Sequence, residues 1–479
     1  MSAEPMVTST LAKYLSGLDY ADIPPRIIEE AKKLLLDSIV CMVTGAESEL
    51  GPVIHAHAEL FGEGDASVAE TPLRASLLGA AYCNARLGTC LDFDETYPGG
   101  PTGGVHFGAI SVAAALAVCE RKKLGGAELL RAIVAGYELG GRIADVGTQL
   151  TFANGELVGR PEVWGMSVSA IFAAAGAAAT ACRLPEEQYY EALGLAGGNV
   201  QPLIGPLWGA MPVPPNVKFS DFGWSTAGGI FSAMAAQRGS TGAGPILDGK
   251  TSILHIIGIR KVNIDGLIGE LGQRWALDDI TYKPWPCCRF LHQAMTALKT
   301  IRDRHTIRAE DVDSIEVSAN YALMSRRFHN REPSNFVARQ FSFPHAIAMM
   351  LCDVPVGVDW VSEEVARRDD VVRIRNKVTV VDNPRARRFA QYFVRDQVRQ
   401  MPGAITVHAG DRVYSAEADY ALGDPWDPAT AWSYGDVADK ARLVTRRDPA
   451  AMERLVEIVR DIDSHETLDA LMRELRGFQ

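Results

Sequence analysis

Residues 72–96 read PLRASLLGAAYCNARLGTCLDFDET, and the fold turns on how the first eighteen of them are read. Asp92, Asp94 and Thr96 match a D-x-D-x-T pattern that opens the nucleophile loop of one phosphatase superfamily. That chemistry needs Asp92 at the end of a buried strand. Leu73, Leu77, Leu78, Ala81 and Ala85 recur instead at helical spacing, and Asn84 and Arg86 interrupt any strand reading. The later acidic runs GDPWDP and GDVADK lie outside an alternating β/α pattern, so the phosphatase reading falls.

The same texture extends outward. In DIPPRIIEEAKKLLLDSIVCMVTGA (22–46), Pro24 and Pro25 suit a helix start, and Ile27, Ile28, Ala31, Leu34 and Leu35 share one face. GAISVAAALAVCERKKL and AELLRAIVAGYELGGRI predict a helix pair around the break Gly125–Gly126. These segments are rich in Ala and Gly, which allows close helix approach. Val163–Cys182 has no charge over 20 residues, yet Ala, Ser and Gly dominate it, which makes insertion into a membrane only marginally favourable. It reads as a helix of a soluble core.

After about residue 275 the pattern changes. DSIEVSANY, NKVTVVDNP, GAITVHAG and RVYSAEADYAL predict strands, with a turn at Gly410–Asp411. CRFLHQAMTALKTIRDRH and SFPHAIAMMLCD predict helices between them, and from about Thr430 the chain returns to helix. The fold expected is mainly α: a large helical domain in two parts, 1–275 and 426–479, interrupted by a smaller α+β domain, 276–425.

The chain has 479 residues, 47% of them hydrophobic and 22% charged, with a net charge of -11. The negative charge argues against nucleic acid as a partner, since such affinity rests on clustered Lys and Arg. The Arg-rich stretches between 367 and 400 are interleaved with acids and read as a solvated face. Eight cysteines show neither C-x-x-C nor zinc-ligand spacing, and a reducing compartment is the simplest reading. The N-terminus lacks the basic and apolar regions of a signal peptide. A cytoplasmic protein is expected.

Three stretches together resemble the MmgE/PrpD family. LDFDET, a Gly/Pro loop, His106 and AGYELGGR are similar to the family's D-F-D-D-T run, its His-Pro and its G-Y-E segment with a following Arg. Lys218 and FGWSTAGGIFSAMAAQRGSTGAGPILDG are similar to its K-x-x-H-x-G-x-A-A helix and the turn after it. YKPWPCCRFLHQAMTAL resembles its K-P-Y-P-C-C-R-x-x-H signature. The motifs stand in the family's order over most of the chain. The resemblance implies a helical domain with an α+β lid, a homodimer, no metal or organic cofactor, and dehydration, decarboxylation or epimerisation of small polycarboxylates.

Each of those reactions builds charge beside a carboxylate while a proton moves, so the site needs cations and an acid/base. His106 is the first candidate acid/base; its other reading is a helix-start cap. Asp92 and Thr96 would orient His106 or hold substrate, and Asp94 reads as a cap only. Lys218, alone among apolar and proline residues, is a candidate carboxylate ligand. Lys283, Arg289 and His292 belong to the second signature, and the three-residue spacing of the last two puts them on one face of a helix. For His292 a buried histidine bonded to backbone competes with catalysis. Cys288 falls at the substrate by resemblance, although no thiol nucleophile is required and packing is its other role. Tyr321, closing a strand, could donate to substrate.

Three departures from the family matter. Phe107 replaces Pro, Gly165 replaces a His after the aromatic, and Asp221 replaces a His three residues after Lys218. An added carboxylate would repel a tricarboxylate unless Lys218 paired it. The expected function is a lyase, dehydratase or decarboxylase, on a small di- or tricarboxylic acid, with cis-aconitate itself not the expected substrate. An isomerase, or an inactive binding homologue, is the alternative.

Overall fold

The computed structural model describes residues 6–477 except 101, 162, 202, 212, 219 and 321–324. Tyr321 therefore lies outside the described residues. The chain is mainly α. Its centre is the helix Met166–Ala181, in which every residue is buried. Around it pack Gly126–Ala144, Gly108–Lys122 and Phe222–Gln237. Glycine lets these helices touch. A Cβ on Gly136 would stand 2.7 Å from the Ala173 carbonyl oxygen, and one on Gly229 would stand 2.5 Å from the Ala174 Cβ. The uncharged window read as a core helix is this element, and no helix among the described residues is long and apolar enough to cross a membrane.

Pro25 opens the long helix Pro25–Ala46, where its missing N–H is no loss. Ser76 caps Leu77–Thr89 by accepting the Gly79 N–H at 3.2 Å. The first part is not wholly helical, which corrects the expectation. Short antiparallel ladders join Ala66–Ser67 to Arg74–Ala75, Thr151–Ala153 to Glu156–Gly159, and Val163–Trp164 to Leu203–Ile204. Strands of two to four residues are too short to leave a period in the sequence.

In the second half a four-stranded sheet runs Arg412–Ala418, Gly403–Ala409, Val312–Ala319, Val378–Asp382. The first two pairings are antiparallel and the last is parallel, with Ile405 opposite Val317 and Ile315 opposite Val378. The helix His292–Arg304 covers this sheet. Here too a reading is corrected: Arg289–Leu291 is a separate 3₁₀ turn before that helix. The extended Cys288 backbone donates its N–H to Gln340 O at 2.8 Å, a tertiary bond that delays the helix start.

The chain then returns. Tyr434–Val444 and Pro449–Arg460 both pack on Pro25–Ala46. Ser433 and Asp436 form a capping box at the first, and Asp448 caps the second.

Candidate active site

The helix Leu77–Thr89 delivers the chain to Asp92, which adopts a left-handed φ of +53°. An aspartate tolerates that conformation because its short side chain bonds locally. Lys283 fixes it by donating to both Asp92 Oδ1 at 2.7 Å and Asp92 O at 3.0 Å. Thr96 and Thr281 then form a one-residue bridge, tying the loop to the segment that carries Lys283.

Asp92 is the hub. Its Oδ1 also lies 3.5 Å from Lys218 Nζ and 3.7 Å from His106 Nε2. All four side chains are buried. Burial by itself would raise the Asp92 carboxyl; Lys218, Lys283 and His106 outweigh it and hold the group far below the carboxylate range. For Lys283, burial lowers and Asp92 raises, and the result is pushed up to about 12.

His106 is locked from behind. Its Nδ1 lies 2.9 Å from the Glu95 carbonyl oxygen and 3.2 Å from Asp94 Oδ2. A backbone carbonyl only accepts, so Nδ1 carries the proton and Nε2 is the exchanging atom. Asp94 is thus no helix cap, contrary to expectation. Burial opposes its ionisation, but His106 holds it below the usual range. Neither is His106 the cap of Gly108–Lys122. Glu95 serves there, accepting the Phe107 N–H at 3.1 Å and the Gly108 N–H. Burial, then repulsion from Asp94, pushes Glu95 up to about 8.

Asp92, Thr96 and His106 line one cavity. Cys288 and Arg289 line it as well. Arg289 donates from Nη2 to Asp424 at 3.0 Å and from Nε to Thr281 Oγ1 at 3.2 Å. Its Nη1 and the Thr96 hydroxyl are buried without a hydrogen-bond partner among the described residues. Burial pushes the Cys288 thiol up to about 11, so it is no ready nucleophile.

Lys218 and Lys283 stand behind Asp92 and are not part of the cavity lining. His292 is not part of it either. Its Nε2 lies 3.1 Å from the Cys287 carbonyl, and burial, then Lys283, takes it down to about 3. The buried, backbone-bonded reading describes it. Arg289 belongs to the 3₁₀ turn and His292 opens the helix, so no single α-helix carries both. Asp221 does not pair Lys218. It caps Phe222–Gln237 through the Trp224 N–H at 3.2 Å, accepts from Tyr82 at 3.1 Å, and meets Arg86 at 3.4 Å. The feared extra anion is spent outside the cavity.

Asp94, Glu95, Arg160, Arg327, Trp164 and Trp208 were not read as site residues from sequence. The acids lay in the quoted motif and could have been found; nothing in the spacing marks the arginines. Asp92, Asp94 and His106 bring one ligand atom each within 4.8 Å of one another, the spacing of a metal site. Two lysines already neutralise Asp92, and a divalent ion there would be repelled by both.

Fold and site together define a mainly α scaffold with a buried Asp–Lys–Lys–His cluster at one wall of a cavity. Residues 9–261 match the MmgE/PrpD N-terminal domain and residues 285–463 the MmgE/PrpD C-terminal domain. The chain belongs to the MmgE/PrpD family. It is 23% identical to a cis-aconitate decarboxylase of Aspergillus terreus over 79% of each chain. It is 24% identical to the cis-aconitate decarboxylase-like protein oryM of Aspergillus oryzae over 63% of each chain. To the human cis-aconitate decarboxylase it is 22% identical, over 98% of this chain and 95% of the relative.

Proposed function

We propose that this chain is a lyase that removes water or carbon dioxide from a small di- or tricarboxylic acid, using His106 to move the proton and no cofactor. One observation carries the reading: Nδ1 of His106 is held by Glu95 and Asp94, which leaves Nε2 beside Asp92 at the cavity wall. The names of the relatives support the carboxylic-acid class.

A carboxylate held by Arg289 presents its neighbouring carbon to Nε2. In dehydration the C–H proton passes to Nε2, the C–O bond breaks, and the leaving hydroxide takes that proton from Nε2–H and departs as water. In decarboxylation carbon dioxide leaves with the carboxyl carbon, and the carbanion takes a proton from Nε2–H. In both, the imidazolium stands between Asp92 and Asp94, which are ionised and stabilise it. The lysines act on Asp92, keeping its charge in place. Charge on the substrate's carboxyl meets the Arg289 Nη1–H and Thr96 hydroxyl donors. Residues 276–425 would serve as a lid inserted between 1–275 and 426–479. Support comes from Cys288 and Arg289, which line the same cavity as Asp92, Thr96 and His106. A homodimer and a substrate other than cis-aconitate complete the proposal.

The test is NMR of a di- and tricarboxylate panel in deuterated water. Loss of water or carbon dioxide, falling about 100-fold or more in His106→Gln, supports the lyase. Deuterium uptake without loss of a group makes the chain an isomerase. No reaction and no exchange anywhere in the panel sinks the enzymatic reading.

A further inference from the structure

The cavity that His106 faces carries more apolar surface than a compact polycarboxylate can use. Its lining includes an apolar wall of Leu157, Trp164, Met166, Trp208, Phe341 and Met401. Apart from the indole N–H groups of Trp164 and Trp208, such a wall offers a carboxylate no donor, so a carboxylate set there loses its water for little return. A hydrocarbon group has the opposite balance, since each methylene taken from water is favourable.

This wall is built tightly. The Trp164 and Trp208 rings lie 5.8 Å apart, and Phe341 meets Trp208 edge-on at 5.3 Å. Gly205 lies so close to Trp164 that a Cβ there would overlap the indole nitrogen. Any other residue would push the ring out of place. Gly165 stands between the wall residues Trp164 and Met166, where the family pattern has a histidine. No polar side chain enters the wall from that position.

Three arginines interrupt it: Arg160, Arg289 and Arg327. Arg289 keeps its buried Nη1 unpartnered among the described residues, as described above. Arg327 lies 4.8 Å from the Phe328 ring centroid, 5.4 Å from Trp208, 5.6 Å from Trp164 and 5.7 Å from Phe341. Its buried Nε has no hydrogen-bond partner among the described residues. Burial brings its pKa down to about 10, and an arriving anion would replace the hydration it has lost.

We propose that the substrate of this site is a carboxylic acid bearing an uncharged alkyl or aryl substituent. Its carboxylates bind Arg289 and Arg327, and the hydrocarbon part lies against Trp164, Trp208 and Met401. The proposal rests on the lyase reading, because it names the substrate class for the same cavity.

Calorimetric binding of succinate and of methyl-, butyl- and hexylsuccinate to the full chain tests it. Wild type, His106→Gln, Trp164→Ala and Met401→Ala are compared, each first shown to be folded by its thermal transition. Affinity is expected to rise about fourfold per methylene from methyl to butyl. His106→Gln keeps that slope, while Trp164→Ala and Met401→Ala each reduce it to less than about twofold per methylene. Should Trp164→Ala not fold, Met401→Ala alone carries the comparison. Affinity that stays flat or falls with chain length, or a slope unchanged in the folded wall variants, overturns this proposal and leaves the lyase reading standing. If no acid of the series binds at millimolar concentration, this proposal falls, and the lyase reading is decided by its own panel of di- and tricarboxylates.

Discussion

Glu95 and Phe107 both depart from the family pattern, and the structure joins the two departures. Glutamate is one methylene longer than the aspartate of D-F-D-D-T, and it reaches the start of Gly108–Lys122. There it accepts the Phe107 N–H, a donor that proline lacks. Buried, Glu95 holds its proton up to about 8, whereas an unfolded glutamate releases it near 4.3. Between those values the folded chain binds more protons than the unfolded one. Glu95 therefore lowers stability as pH rises through that window, by at most about 1.4 kcal/mol per pH unit. Glu95→Gln retains the acceptor and removes the ionisation. Its Tm is expected to fall less than that of wild type between pH 5 and pH 8 (about the bounds of the window). A decline parallel to wild type would rule out Glu95 as the titrating group. The two site-motif histidines separate in the same way. His292→Gln is expected to keep kcat within about threefold while lowering stability, whereas His106→Gln loses about 100-fold or more. Equal losses of kcat would return His292 to the chemistry.

Asp221 belongs to the scale of its helix. Read as an isolated residue after Lys218, it looked like an anion opposed to the substrate. At the start of Phe222–Gln237 it supplies the cap and meets Arg86 and Tyr82. Asp221→Ala is expected to lower unfolding free energy by about 1 kcal/mol, Asp221→Asn by less, and neither to move KM. A changed KM in the Asn variant, which keeps the cap, would place the carboxylate charge in binding after all. The same scale explains the misread pair Arg289 and His292. Periodicity ran one helix through both, but the N–H of Cys288 goes to Gln340, more than fifty positions on, and the regular helix starts only at His292. Periodicity does record burial, which is why the Ala- and Gly-rich helices and all four sheet strands were legible.

Across the whole molecule the first and last segments meet beneath the site. Lys440, on the returning helix Tyr434–Val444, donates to Asp37 at 2.7 Å and to the Phe93 carbonyl at 2.8 Å. It also sits 3.7 Å from the centre of the Phe93 ring. The end of the chain thereby holds the residue between Asp92 and Asp94. Lys440→Met is expected to cost about 3 kcal/mol in denaturant unfolding, because Asp37 is left buried and unpaired. Adding Asp37→Asn should recover part of that loss; a double variant as unstable as the single would mean the charge pair is not the cause. By itself the sequence determined most of the helices, the four strands of the larger sheet, the family and Asp92, His106, Lys218 and Lys283 as candidates, because periodicity and short motifs are local properties of the chain. Only the tertiary structure decided that Lys283, 191 positions away, pairs with Asp92. It also took His292 and Asp221 out of the cavity and brought Arg327 in. Charge pairing and desolvation act through space, and residue spacing carries no record of which distant partner closes the distance.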